Sequence, residues 1–173
     1  RPCRIALRRR LRVRRVSSPR APRLGAGTAA PAALMEKAWP GSQGGTYGAN
    51  AVACAAAIAT LDVIQEEKLV ENAAARGEQL KAALTAVADR FKQITDARGL
   101  GLMIGNEFRD GEGRPSGALA AAVQQEAARR GLLLLTCGAW SQVVRFIPAL
   151  VVREQDVDEA ARSWADAVGA VLS

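Results

Sequence analysis

Gly44-Gly45-Thr46-Tyr47-Gly48-Ala49-Asn50-Ala51-Val52-Ala53-Cys54-Ala55-Ala56-Ala57 is a glycine-rich loop, carrying a threonine hydroxyl, that opens into a helix of small residues. Glycines let a backbone approach a ligand closely, and the free N–H groups of a helix N-terminus suit an anion. Asn50 stands where an N-cap is needed, because its side-chain oxygen can accept a bond from the first turn. From Ala51 to Ile64 the helix is apolar on nearly every side, which predicts burial. The same loop without a ligand is a turn in which Thr46 only stabilises the backbone. The pattern alone favours that plainer role.

The chain beyond this helix reads as alternating helices and strands. Leu69, Ala73, Leu80, Leu84, Val87 and Phe91 form one stripe, so Leu69 to Phe91 is an amphipathic helix. Residues 93–98 and 102–108 read as strands around a Gly99-Leu100-Gly101 turn. Asp110 to Pro115 is a loop. Ser116 can cap a helix that runs to Arg130 and stops at Gly131. Leu132–Thr136 and Val143–Ile147 read as strands, the second ending at Pro148. Val157, Ala160, Ala161, Trp164, Ala167, Val168 and Val171 share one face of a last helix. Upstream, Leu24 to Lys37 holds a short strand and a helical turn. The order predicts an α+β layer, helices packed on a small, mainly antiparallel sheet.

The chain has 173 residues, enough for an ordinary domain with a core. Apolar residues make up 49%, much of it alanine, yet no apolar run reaches membrane-spanning length. There is no histidine, which removes imidazole bases and histidine metal ligands. Cys3, Cys54 and Cys137 are odd in number and far apart, with no metal spacing and no disulfide framework. This suits a reducing, cytoplasmic setting. Cys54, on the apolar helix, and Cys137, at a strand end, read as packing residues.

The net charge of +7 belongs to one end. Residues 1–34 hold ten arginines and no acid, whereas the remainder holds 14 basic and 17 acidic residues. Three readings of residues 1–33 compete: an arm that binds nucleic-acid phosphates, a transit segment, and residues foreign to the fold, from a frame error or a misjoined start. The third is preferred, and nucleic acid is an unfavoured partner. Each reading predicts a poorly ordered segment without a usable period.

Three segments together carry a family resemblance. The loop and helix from Gly44 resemble the class III (subgroup II) pyridoxal-phosphate aminotransferase pattern Gly-Gly-Thr-Tyr/Phe-Gly-Gly-Asn-Pro-Val-Ala-Cys, departing from it at Ala49 and Ala51. Ala97-Arg98-Gly99-Leu100-Gly101-Leu102-Met103 is similar to the family's Val-Arg-Gly-x-Gly-Leu-Met. Gly131 to Gly138, followed by Val144-Arg145-Phe146-Ile147-Pro148-Ala149-Leu150, resembles the end of 4-aminobutyrate aminotransferases. The resemblance covers about Leu34 to Ser173. It implies a fold-type-I C-terminal small domain over 68–173 and a large-domain remnant over 34–67.

The resemblance also implies roles. Thr46, with Gly45 beside it, would contact the phosphate of pyridoxal 5′-phosphate, reaching into the neighbouring subunit of a homodimer. Arg145 would grip the carboxylate of amino-acid and 2-oxo-acid substrates. The residue type agrees, since an arginine in an apolar strand is costly to bury unpaired and its planar fork matches a carboxylate at two points. The alternatives for Arg145 are a structural salt bridge to a buried acid and a strand-end arginine that reaches solvent; the substrate role is preferred. Arg98 reads as structural, pairing with Asp96 or holding the turn. Glu66, Glu67 and Lys68 read as a solvated helix end; Trp140, between Gly138 and Arg145, either lines a substrate entrance or packs, and packing is preferred.

Catalysis in the family needs a lysine that holds the cofactor covalently and moves the substrate proton, and an acid beside the pyridine nitrogen. Both precede the glycine-rich loop in the family. Here the first lysine is Lys37 and the first acid is Glu36, both too near the loop. No residue of this chain is assigned as catalytic and none as a metal ligand. The expected activity is transfer of an amino group from a 4-aminobutyrate-like donor to 2-oxoglutarate, by an enzyme of which this chain is an inactive fragment. A non-catalytic remnant or assembly partner is the alternative.

Overall fold

The computed structural model describes residues 14–16, 27–29, 31–37, 39 and 50–173. The chain divides into two compact units, Arg1–Glu67 and Lys68–Ser173.

In the first unit, β1 (Arg14–Val16) pairs antiparallel with β2 (Gly27–Ala29). Strand β1 falls within the stretch expected to lack structure. Its pairing uses main-chain groups, which need no side-chain period. A single turn, α1 (Ala32–Met35), follows. Helix α2 (Ala51–Glu66) starts as expected, with the Asn50 side chain accepting from the N–H groups of Val52 and Ala53 at 3.1 Å each. The predicted burial of this helix fails. Only Ala53 is buried, while Val52, Ile58, Leu61, Val63 and Cys54 are exposed. A helix apolar all round needs cover on every side, and the described residues leave most of its surface without it.

The second unit contains the core. Helix α3 (Leu69–Ala88) begins after Lys68, whose φ of 50° puts it in the left-handed region. Leu69, Leu80, Leu84 and Val87 are buried along its stripe. The helix ends three residues before the predicted Phe91, which still packs on the core from the following turn.

Strand β3 (Ile94–Leu100) and β4 (Met103–Phe108) form a hairpin closed by Gly101 and Leu102. Gly99 and Leu100 therefore lie in strand rather than in the predicted turn. The reversal needs a positive φ at its first residue, and Gly101 supplies it at 55°. Helix α4 (Gly117–Arg129) is capped by Ser116, whose hydroxyl oxygen accepts from Leu119 N at 3.3 Å. Gly131 follows with a φ of 83°.

Strand β5 (Leu135–Cys137) is shorter and later than predicted. Leu132–Leu134 lie outside it, and Gln124 of α4 donates to the Leu134 carbonyl at 3.1 Å. Strand β6 (Val143–Phe146) and helix α5 (Glu154–Leu172) complete the chain. The sheet order is β3-β4-β6-β5, antiparallel throughout. The predicted α+β layer is thus observed.

Helices α3, α4 and α5 pack on one face of this sheet. Trp164 of α5 is fully buried, edge-on to Phe108 at 6.1 Å and to Phe146 at 5.1 Å between ring centroids. Strand alternation sends Ile104, Asn106 and Phe108 of β4 and Val144 and Phe146 of β6 inward. The opposite residues of each strand face away from the helices.

Candidate functional site

The outward face of the sheet presents Arg145. In register it stands opposite Gly105 on one side and Leu135 on the other. Gly105 in turn stands opposite Arg98, so one row across the face reads Arg98, Gly105, Arg145, Leu135. The surroundings of Arg145 are apolar and open: Leu100, Met103, Leu135 and Ile147 share the face and are 55–82% exposed. Arg145 also lines an open groove of about 410 Å³, bounded by Leu132–Leu135, the end of β6 and the start of α5.

Arg145 has no ion-pair or hydrogen-bond partner among the described residues. Its neighbours differ. Arg98 binds Asp96 at 2.6 Å and Glu107 at 2.7 Å, and Arg109 takes the other oxygen of Glu107 at 3.0 Å. The hydrogen bond to Asp96, then that to Glu107, pushes the Arg98 guanidinium above its usual pKa. The acid in the groove, Asp156, is likewise engaged, accepting from the Arg153 side chain at 2.8 and 3.0 Å and from its backbone N–H at 3.0 Å. A cation left free on an apolar surface, beside acids that are all occupied, can take an external carboxylate.

The family pattern described as "Aminotransferase class-III" matches residues 24–168. The chain belongs to the class III aminotransferases. Among curated relatives it is 38% identical over 135 residues to the 5-aminovalerate aminotransferase DavT of Pseudomonas aeruginosa, covering 77% of this chain and 32% of that protein. It is 38% identical over 134 residues to the 4-aminobutyrate aminotransferase GabT of Escherichia coli, covering 76% and 32%. The chain thus spans about a third of the length of these relatives. Among solved structures, a thermostable omega transaminase variant superposes with a TM-score of 0.63 at 31% identity, over 69% of this chain and 27% of that one. An amine transaminase from an uncultivated Pseudomonas species, determined in its PLP-bound form, superposes with a TM-score of 0.62 at 27% identity, over 69% and 28%.

Class III aminotransferases depend on pyridoxal 5′-phosphate. The described residues that line the groove at Arg145 do not fit the covalent attachment of that group. Its aldehyde requires an amine, and none of the residues lining the groove at Arg145 is a lysine. The four lysines are Lys37, Lys68, Lys81 and Lys92, of which Lys37, Lys68 and Lys92 are exposed. Gly45 and Thr46, the expected phosphate contacts, lie outside the described residues.

Arg98 pairs with Asp96, as its sequence context suggests. Sequence reasoning missed Glu107 and Arg109. A period of two along β4 already places Glu107 on the face of Gly105, and therefore of Arg145. Trp140 is 65% exposed and does not line the groove.

Proposed function

We propose that this chain forms the C-terminal part of a pyridoxal-phosphate aminotransferase that moves an amino group from an ω-amino acid, of the 4-aminobutyrate or 5-aminovalerate kind, to 2-oxoglutarate. In this reading residues 68–173 are the small domain, residues 34–67 belong to the large domain, and the arginine-rich residues ahead of the family match at residue 24 are foreign to the family fold. Arg145 binds the substrate carboxylate. Thr46 and Gly45 donate to the cofactor phosphate across a homodimer interface in the cytoplasm. The chain alone does not transaminate, because it brings no lysine to Arg145.

The observation that carries this reading is the unpaired guanidinium of Arg145 on an exposed apolar face. The two relatives named above support the donor class, since DavT and GabT act on ω-amino acids by name.

The test is a chimera in which residues 68–173 replace the aligned segment of E. coli GabT. Arg145→Ala should lower kcat/KM for 2-oxoglutarate by an amount matching the loss of a charge-paired carboxylate contact, about 2–5 kcal/mol. Arg145→Lys should recover only part, because an ammonium lacks the planar fork. Unchanged kcat/KM in Arg145→Ala would overturn the assignment.

A further inference from the structure

Glu107 is the acid on the sheet closest in register to Arg145. On β4 it follows Gly105 by two residues, and on β6 Val143 stands opposite it. Glu107 and Arg145 are therefore diagonal neighbours on one face, a separation of about 7–8 Å. Long side chains cross that gap readily. Yet the two do not pair. Glu107 is bound by Arg98 through one oxygen and by Arg109 through the other. Its side chain is only 12% exposed, whereas that of Arg98 is 52% exposed. A carboxylate so covered is costly to leave without cations, so it takes the nearest available ones.

Val143 adds a steric element. A Cβ built on Gly105 would come within 2.8 Å of Val143 Cγ1. The valine methyl leans over the glycine, along the other diagonal of the same four-residue square. That diagonal crosses the one that joins Glu107 to Arg145.

We infer that Arg98 is a positioning residue for Arg145: with Arg109 and the Val143 methyl it holds Glu107 away, so that Arg145 stays free for an external carboxylate. Arg98 does this without touching the substrate. The inference rests on the reading of Arg145 as the carboxylate-binding residue. It explains why an arginine two strands away, about 9–10 Å across the sheet, carries two acids while Arg145 carries none. Asp96 supplies the second negative charge on Arg98, which limits its repulsion of Arg145.

The prediction can be read on the chain as it is, through the reactivity of individual arginines. Phenylglyoxal modifies free guanidinium groups, and mass spectrometry of chymotryptic peptides reports the rate at Arg145. In the unaltered chain Arg145 should react quickly, and glutarate should slow it. Arg98→Ala frees one oxygen of Glu107, so Arg145 should react about two- to fivefold more slowly, the scale of an exposed ion pair. Arg109→Gln frees the other oxygen and provides an independent route to the same result. Arg98→Ala combined with Glu107→Gln should restore the original rate, which a merely structural role for Arg98 would not do. An unchanged Arg145 rate in both single variants, or no recovery in the double variant, overturns the role of Arg98. Failure of glutarate to protect Arg145 in the unaltered chain instead overturns the carboxylate-binding reading, and the two failures are separately visible.

Discussion

Gly77 of α3 lies directly against the backbone of Gly101 in the β3–β4 turn, so closely that a Cβ on Gly77 would overlap the Gly101 carbonyl. The absence of a side chain at Gly77 sets how near the helix lies to the hairpin. Gly101 itself occupies the left-handed region.

Gly77→Ala decides between two effects of opposite sign. In an open helix the change gains about 0.5–1 kcal/mol. Here the atoms in the way are backbone, which cannot rotate aside, and overpacking costs about 1–3 kcal/mol. The variant should be less stable, with thermal unfolding shifted down by several degrees. An unchanged or raised Tm would show that the helix can move away from the turn.

Trp164 closes the core against Phe108 and Phe146, and its Nε1 donates to nothing among the described residues. Trp164→Ala should cost about 3–5 kcal/mol in chemical denaturation. Trp164→Phe gives up no hydrogen bond and keeps an aromatic edge, so it should cost clearly less. Equal losses in the two variants would point to an unseen partner for the indole N–H.

Three carboxylates, Asp110, Glu126 and Asp156, are held below their ordinary values and give the second unit a defined acid response. The Arg153 side chain, then its backbone N–H, holds Asp156 below the usual 3.8. The Arg129 side chain, and then Arg130, hold Glu126 below 4.5. Each stays charged to lower pH in the folded chain than in the unfolded one. Their contribution is full above the unfolded value, near pH 4, and is lost as pH falls through the folded value. Tm should decline across that acid window, and Asp156→Asn should flatten the decline. An identical acid limb in the variant would remove Asp156 from the account.

The chain alone should show no transaminase activity with pyridoxal phosphate. Borohydride treatment should leave only scattered labelling of exposed lysines. A stoichiometric adduct on one of Lys37, Lys68, Lys81 or Lys92 would contradict this.

The legible parts of the fold were those with a strong local signal. The α3 and α5 stripes, the Asn50 and Ser116 caps and the stop at Gly131 follow from periodicity and capping chemistry. The start of strand β5 is not legible because Leu132–Leu135 is apolar throughout; the Leu134 carbonyl is taken by Gln124 of α4, and pairing begins at Leu135. The burial expected of α2 is a statement about partners, which its own residues cannot supply. Arg145 was identified by its apolar context, whereas the ion pairs of Glu107 depend on strand register, which no single strand encodes.

The sheet order carries a kinetic consequence. Strands β3 and β4 are joined by two residues, so their hairpin can close in microseconds. Strand β6 must find β4 across an intervening helix and strand, pairing Glu107 with Val143 and Ile104 with Phe146, a loop of roughly 40 residues whose closure costs more entropy. The row that displays Arg145 is therefore assembled late. During synthesis Arg98 and Glu107 can meet before Arg145 has left the ribosome, so the acid already has its partner when Arg145 arrives. In pulse-labelled refolding, amide protection should reach β3 and β4 before β6.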